Sequence, residues 1–411
     1  MTPFSAATHD KRAGEAAPAD CLVRAAVGLE AEFTLIVDDR PVRPEALFRD
    51  PCGFMRGPLL HRVGTSYQLA NGAAIYFDTG VIEIATPAME LERGCMARAG
   101  RSLWESIALV REGLDRWERT SGRRARLSGF STHYNVSLAA AERQTITPRR
   151  LGRVARALTD ILPAPVMLLA TNRRSTGVGV RPRPHRIEVT ADFTPDAALM
   201  IAAGSLIAGI VRRVTTWPAS MLRAIDRPVP VIAGFTPMPH TSRRGWLARA
   251  DRYPSNPFVC DIDDPMWPTT TGAIMSLRDI ARATFDRFRL AIARFADPFS
   301  LRLIRSILSP HGASLLTLDD RPAEYEDVGR SSMLNGSAVG RHLARSRYER
   351  VLMCAVSGRP LRLDGALWTP VRVRGWSRVV FRRDSDGAQI LVPLDSLVSR
   401  LDEWERITIV R

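Results

Sequence analysis

Residues 71–87, with the sequence NGAAIYFDTGVIEIATP, most constrain how this chain can fold. The apolar residues predict a strand-like segment, which Gly80 interrupts with a turn or a bulge. Alternate residues of a strand share a face, so Tyr76 and Asp78 point the same way. Glu83 follows between two isoleucines. An aromatic hydroxyl and two carboxylates in one segment are well placed to hold a metal ion, although an edge strand with solvated acids would give the same pattern.

Residues 27–37 carry a strong strand signal, VGLEAEFTLIV, with Glu30 and Glu32 on one face. Two carboxylates on one strand face repel each other unless a cation lies between them. Hard oxygen ligands of this kind suit Mg²⁺ or Mn²⁺ rather than zinc. If both acids face water, the repulsion is small and no cation is needed.

Residues 131–137, STHYNVS, predict a strand with His133, Asn135 and Ser137 on one face. A histidine beside amide and hydroxyl donors suits ATP phosphates or a metal ion. A half-buried polar strand without a ligand would give the same pattern, so both interpretations stay open.

Residues 181–192, RPRPHRIEVTAD, place Arg186, Glu188 and Thr190 on one strand face. Arginine next to a carboxylate can be a plain ion pair. Beside a metal and a phosphate, the same pair could serve as a phosphate clamp and a metal ligand. Thr86, where the strand carrying Glu83 ends, could offer its hydroxyl to a nucleotide.

The net charge of +15 raises the question of a nucleic-acid partner. Lys11 is the only lysine, so 57 of the 58 basic residues are arginines, and these are spread along the chain. Such a skew indicates a GC-rich genome more than a selected binding surface, and a nucleic-acid partner is not expected. A P-loop lysine and Schiff-base chemistry are also disfavoured, so nucleotide chemistry here must use arginine and metal.

The remaining composition is typical of a cytoplasmic protein without a membrane segment. No apolar run approaches the ~18–20 residues that span a bilayer. Residues 1–20 lack the apolar core of a signal peptide and predict a disordered tail. The five cysteines are scattered without a CxxC pair, which predicts reduced thiols.

The order of predicted elements favours an α+β fold with a mostly antiparallel sheet and helices on one face. The spacing of apolar residues predicts helices at residues 92–119, 149–169, 195–222, 271–295, 298–308 and 338–356. Thr194 and Pro195 are the expected N-cap and first residue of the third helix. Strands are predicted at residues 127–138, 186–190, 368–373, 377–382 and 389–393, and an irregular loop at residues 236–268. The tail from residue 357 to 411 predicts a small β-rich domain after a main domain at residues 21–356.

Taken in order, Glu-x-Glu, a later strand glutamate, His-x-Asn-x-Ser and Arg-x-Glu resemble the glutamine synthetase and glutamate–cysteine ligase superfamily. Within it, residues 28–32 (GLEAE), 71–78 (NGAAIYFD), 83–86 (EIAT) and 133–135 (HYN) are similar to motifs of the Pup ligase and depupylase family, the proteasome accessory factors. The resemblance covers roughly residues 23–210. The short segment between Glu32 and Asn71 is similar to that of the ligases.

The resemblance implies an ATP- and Mg²⁺-dependent ligase that joins a carboxylate to an amine through an acyl phosphate. Glu30, Tyr76 and Glu83 would hold Mg²⁺ (or Mn²⁺), with Glu32 and Glu188 as further ligands. Asp78 would be the catalytic base. The implied nucleotide-binding residues are Thr86, His133, Asn135 and Arg186. A small protein or peptide would supply the carboxylate, and a second molecule the amine.

The chain also departs from the family pattern. Ala74 stands where the family has an ATP-binding arginine, and the spacer between Asp78 and Glu83 is one residue shorter and lacks a histidine. The family's C-terminal nucleotide-contacting tryptophan has three possible counterparts, Trp368, Trp376 and Trp404. Two other functions therefore remain open: a depupylase-like amidase, and a non-catalytic relative that kept the scaffold.

Overall fold

The computed structural model describes residues 22–226, 228–240, 244–317, 327–329 and 344–406. The strands are β1 Ala26–Val37, β2 Arg40–Val42, β3 Leu60–His61, β4 Tyr67–Gln68, β5 Ala74–Asp78, β6 Val81–Ala85, β7 Met89–Glu90, β8 Ala125–Ser137, β9 Gly177–Arg183, β10 Arg186–Asp192, β11 Met238–Pro239, β12 Trp246–Arg249, β13 Trp267–Pro268, β14 Ile274–Met275, β15 Leu361–Leu363, β16 Ala366–Arg374, β17 Arg378–Arg383 and β18 Gln389–Pro393. The helices are α1 Pro44–Phe48, α2 Cys95–Ser121, α3 Ala140–Arg143, α4 Pro148–Ile161, α5 Pro163–Ala170, α6 Ala197–Thr215, α7 Leu277–Phe295, α8 Pro298–Leu308, α9 Arg347–Val356, α10 Leu394–Val398 and α11 Leu401–Arg406.

A twelve-stranded sheet forms the centre of the protein, in the order β11-β12-β9-β10-β8-β1-β6-β5-β4-β3, with β2 and β7 also paired to β1. Every strand pair in the described part of this sheet is antiparallel. The expected class, helices packed on a mostly antiparallel sheet, is therefore what the protein adopts.

Strand β1 shows how the sheet acquires two different faces. Leu29, Ala31, Phe33 and Leu35 are fully buried and alternate with more polar residues. Their face packs against α2, while α4, α5 and α6 contact the neighbouring strands. Because side chains alternate along a strand, the opposite face carries the polar residues of β1. That polar face is where the predicted site residues lie.

Two helix predictions need correction, each for local reasons. Prolines at 163 and 165 end one helix and begin another, so the predicted helix at 149–169 is the pair α4 and α5. The N-cap of α6 is Asp196 rather than Thr194, since the Asp196 side chain accepts from the Leu199 N–H. Helix α6 ends at Thr215, before a proline at 218 that would clash with the preceding turn.

Two further boundaries differ from the predictions. Helix α7 begins only at Leu277, where Ser276 caps it. The described part of the last long predicted helix is α9, which begins at Arg347 with a capping box from Ser346 and Glu349. Residues 338–343 of that prediction, and the predicted tail at 1–20, lie outside the described residues.

The segment predicted as an irregular loop at 236–268 is wrong in part. It contains β11 and β12, and β12 pairs with β9 at the edge of the large sheet. Strand β9 itself was not predicted, because its sequence GVGVRPR is rich in glycine, arginine and proline.

Helix α6 corrects the expectation that no apolar segment approaches the length needed to span a bilayer. Among the described residues it is long and apolar enough to cross a membrane by length and composition, with a mean hydropathy of 1.7, yet 78% of that window is buried inside the protein. Core helices of soluble proteins share these properties.

A second hydrophobic cluster forms beside the C-terminal sheet β15-β16-β17-β18. It includes Trp368, Phe381 and Trp404, together with Tyr348 and Leu352 from α9. We refer to α9, this sheet, α10 and α11 as the C-terminal unit. The predicted domain boundary at residue 357 stays a prediction, and the cluster draws on α9 before it.

Candidate active site

The register of four central strands brings the predicted acidic residues together on the polar face. Glu30 of β1 lies opposite His133 of β8, and Glu32 lies opposite Glu83 of β6. Tyr76 of β5 in turn lies opposite Glu83. These residues line or border a cleft of about 420 Å³, a size in the range of small-molecule sites, roughly 300–1,000 Å³.

A carboxylate–imidazole cluster occupies the centre of this cleft. Ligand atoms of Glu30, Glu83 and His133 lie within 4.8 Å of one another. The Tyr76 hydroxyl donates to Glu83 at 2.5 Å. His133 contacts Glu30 through Nδ1 at 3.2 Å and approaches Glu32 through Nε2 at 3.7 Å. Two ligands of one Mg²⁺ are at most about 4.2 Å apart, so the cluster has nearly the spacing and the donor set that a divalent cation needs.

Within the cluster, the pKa of Glu30 is lowered and the pKa of Glu83 is raised. Burial alone would raise the pKa of Glu30, but the hydrogen bond from His133 and the charges of His133, Arg186 and Arg183 lower it to about 2. Burial, followed by the charge of Glu30, raises the pKa of Glu83 to about 8. Burial lowers and the hydrogen bond with Glu30 raises the pKa of His133, with a net increase. At neutral pH Glu83 therefore holds a proton that a bound cation would displace.

Arg183 of β9 and Arg186 of β10 also line the cleft. Glu188 is fully buried and contacts Arg181, and Arg183 donates to it through Nε at 3.0 Å. Arg186 donates to Asn135 Oδ1 at 2.8 Å and lies 4.0 Å from Glu188. One carboxylate thus contacts three guanidinium groups. The positive charges of Arg186 and Arg183 also lower the pKa of Glu30.

An apolar compartment adjoins the cleft and shares Glu30, Arg186 and Trp376 with it. Thr86 lies in this compartment, where its Oγ1 accepts from the Leu29 N–H at 3.0 Å. Asn135 lies in it as well. The other walls are mostly apolar, from Leu22, Ala26, Val27, Leu29, Ala88 and Pro184. The two compartments together therefore offer mostly apolar walls at one end and charged walls at the other.

The predicted site residues fall into three groups. Glu30, Tyr76, Glu83, His133 and Asp78 line the cleft, with Glu32 at its border through His133 and Ser131. Thr86, Asn135 and Arg186 line the adjoining compartment, and Arg186 lines both. Glu188 contacts arginines through both carboxylate oxygens. The predicted roles of all these residues stay predictions.

Sequence reasoning missed Arg62 and Arg183, which also line the cleft, and it left Trp376 among three possible counterparts of a nucleotide-contacting tryptophan. Trp376 lies in the turn between β16 and β17 and is the one C-terminal tryptophan in the walls of the cleft and its neighbour. Arg62 follows β3, and its guanidinium carbon lies 3.6 Å from the centre of the Trp376 ring. The RPR pattern before Arg186 was a usable signal for Arg183, whereas the other two meet only through tertiary packing.

Comparison with known proteins finds a likeness among solved structures. No family model matches the chain, and no curated protein matches it. The chain is similar to the ligase structure described as the crystal structure of the complex between Prokaryotic Ubiquitin-like Protein Pup and its Ligase PafA. The TM-score is 0.48 and the identity 11%, over 93% of this chain and 94% of that chain. These values are too low to assign a family or an activity, which must be inferred from the site residues.

Proposed function

We propose that the protein is a cytoplasmic, ATP- and Mg²⁺-dependent carboxylate–amine ligase of the glutamine synthetase type, which forms an amide or isopeptide bond. The observation that supports this most is a cluster of Glu30, Glu83 and His133 in one cleft with Arg183 and Arg186. Acids that can hold a metal ion, together with arginines in the same cleft, suit polyphosphate binding when a P-loop lysine is missing. A small protein or peptide, similar to Pup, is the proposed carboxylate donor.

Glu30 and Glu83 are the proposed ligands of Mg²⁺ or Mn²⁺, with Tyr76, Glu32 and His133 beside them. A bound divalent cation would neutralise phosphate charge and polarise the phosphoryl group. The prediction that Glu188 is a further ligand remains, and its contacts with Arg181 and Arg183 give it a competing structural role.

The difference between the two compartments supports one orientation of the proposed ATP. The nucleoside end occupies the apolar compartment beside Thr86, and the phosphates pass Asn135 and Arg186 toward the acidic cluster. Arginine presents several N–H groups in one plane, which matches phosphate oxygens better than a single ammonium group does. Arg183 and Arg186 are already oriented by Glu188 and Asn135.

The proposed reaction has two steps, in which this chain positions the reactants and removes a proton. An oxygen of the substrate carboxylate attacks the γ-phosphorus, and the bond to ADP breaks, which leaves an acyl phosphate. The nitrogen of the amine then attacks the acyl carbon, and inorganic phosphate leaves. Asp78 lines the cleft next to Tyr76 on β5 and takes the proton of the attacking amine.

Titration calorimetry with a non-hydrolysable ATP analogue and Mg²⁺ tests this function. The wild-type protein should bind the analogue, and Glu83→Gln should weaken binding at least tenfold because the variant removes a charged ligand. Asp39→Asn, an exposed acid away from the cleft, is the matched control and should bind like wild type. Failure of the wild type to bind at millimolar analogue would rule out the ligase.

A depupylase-like amidase is the second candidate, with Asp78 attacking the amide or activating water. Ala74, which is fully buried on β5 at the position where the resemblance implies an ATP-binding arginine, instead favours a non-catalytic relative. One ATP consumed per bond formed identifies the ligase, whereas bond cleavage without net ATP consumption identifies the amidase. Absence of both activities, with the fold intact, identifies a non-catalytic scaffold.

A further inference from the structure

Arg62 lies where the cleft meets the C-terminal unit. Its Nε donates to the carbonyl oxygen of Gly375 at 2.9 Å, and its guanidinium stacks on Trp376 at 3.6 Å. A longer contact of 3.5 Å joins Nη1 to Ser66. The side chain is thus attached both to the loop after β3 and to the turn between β16 and β17.

Arg62 and Arg186 occupy different positions along the proposed path of the nucleotide. Arg186 lines the apolar compartment and the acidic cleft, together with Glu30 and Trp376. Arg62 lines the acidic cleft but not the apolar compartment. Tyr76, Asp78 and Glu83 line the cleft with it. A nucleotide whose base lies in the apolar compartment therefore passes Arg186 first, and its last phosphates reach the wall that carries Arg62.

The contacts of Arg62 fix the position of its guanidinium group at the cleft. A guanidinium stacked on an indole ring lies parallel to the ring. Its N–H groups point outward in the guanidinium plane, toward acceptors beside the ring. Stacking also removes much of the side-chain freedom that binding would otherwise restrict. The C-terminal unit provides both the ring and the carbonyl acceptor for Nε.

We propose that Arg62 binds the terminal phosphate of the nucleotide, and that Trp376 and Gly375 of the C-terminal unit position it for that contact. The inference rests on the proposed function, since it assumes that a nucleoside triphosphate occupies the two compartments. The phosphate site is then assembled from both units, and the C-terminal unit determines how strongly a triphosphate is preferred to a monophosphate.

Affinities for AMP, ADP and a non-hydrolysable ATP analogue, measured by calorimetry with Mg²⁺, test this proposal. Arg62→Ala should weaken binding of the ATP analogue at least tenfold and change AMP binding less than twofold. Arg186→Ala should weaken all three ligands. Arg62→Lys, which keeps the charge but not the planar stack, should give an intermediate loss for the ATP analogue. Arg40→Ala, on the exposed strand β2, should match wild type throughout.

The outcomes separate this proposal from the function on which it rests. A wild-type protein that binds none of the three ligands overturns both. A wild-type preference for the triphosphate that persists in Arg62→Ala overturns the role of Arg62 and leaves the ligase intact. Equal losses for AMP and the ATP analogue would show that Arg62 only supports the fold. If Arg62→Ala does not fold, the same comparison with Arg62→Gln decides.

Discussion

At the scale of single residues, the raised pKa of Glu83 predicts how cation binding depends on pH. Burial and the charge of Glu30 raise this pKa to about 8, so the carboxyl is protonated below that pH when no ion is bound. A cation must displace the proton, and its apparent affinity should rise about tenfold per pH unit up to about pH 8. Calorimetry in two buffers of different ionisation enthalpy should detect close to one proton released at pH 7.

Ionisation of Glu83 favours cation binding but lowers the stability of the metal-free protein. Because the folded-state pKa lies above the unfolded value of about 4.3, stability falls as pH rises from about 4 to about 8. Added Mg²⁺ should therefore raise the unfolding temperature more at pH 8 than at pH 6. Glu83→Gln does not titrate, so an equal dependence in that variant would contradict this account.

Asp78→Asn tests the proposed base. The variant keeps the shape of the cleft but cannot accept a proton, so amide formation should be lost while binding of the ATP analogue stays within about twofold of wild type. Single-turnover amide formation and calorimetry would be compared on one preparation. Loss of analogue binding would make Asp78 a ligand, and full activity would remove it from the mechanism.

Much of the cleft was predictable at this scale because strand periodicity reports which residues share a face. Glu30, Tyr76, Asp78 and Glu83 lie in strands whose alternation is plain in the sequence. Trp376 was not assignable, since its place in the cleft depends on how a distant turn packs. Glu188 shows a further limit: its face was predictable, but not that neighbouring arginines would engage both oxygens.

At the scale of elements, the start of α6 offers a direct test. Asp196 caps this helix, and its side chain accepts from the Leu199 N–H at 2.9 Å. Asp196→Ala should lower the free energy of unfolding by about 1 kcal/mol, the usual cost of a lost N-cap. Chemical denaturation would measure the change. Asp286→Ala, an exposed position within α7, is the control and should stay within about 0.5 kcal/mol of wild type.

Element boundaries were harder to predict than element types, and prolines and caps explain why. Helical periodicity runs across residues 149–169, but it does not show where a proline ends one helix and begins the next. Thr194 and Pro195 gave a plausible start for α6, and the nearby Asp196 forms the cap instead. Strand β9 was not predicted because its pairing with β10 and β12, rather than local propensity, makes it a strand.

At the scale of the whole molecule, one buried ion pair connects α2 to the C-terminal unit. Arg101 Nη2 contacts both carboxylate oxygens of Glu349, at 2.9 and 2.7 Å, and the two side chains are 2% and 0% exposed. Arg101→Ala would leave a buried carboxylate with less compensation, which should cost about 3–5 kcal/mol of unfolding free energy.

Chemical denaturation would measure that loss, and limited proteolysis would show whether the C-terminal unit becomes cleavable first. Arg116→Ala is the matched control on the same helix, because its pair with Glu112 is largely exposed and should contribute less than about 1 kcal/mol. Equal losses in the two variants would show that the Arg101 pair does not hold the units together. The sequence predicted a separate C-terminal region but not this connection, since the partners are 248 residues apart.

His133 lies between Glu30 and Glu32, at 3.2 Å from one and 3.7 Å from the other. Burial lowers the pKa of His133, but the hydrogen bond and charge of Glu30 and the charge of Glu32 raise it overall, so these acids favour a protonated imidazole that reduces their mutual repulsion. The chain thus carries its own counter-ion, covalently attached, at the place where a free cation would otherwise be required. Small zinc-dependent domains fold only when the metal arrives. Here the protein can complete its sheet before the proposed metal and nucleotide bind, so a chelator should abolish the proposed activity without unfolding the protein.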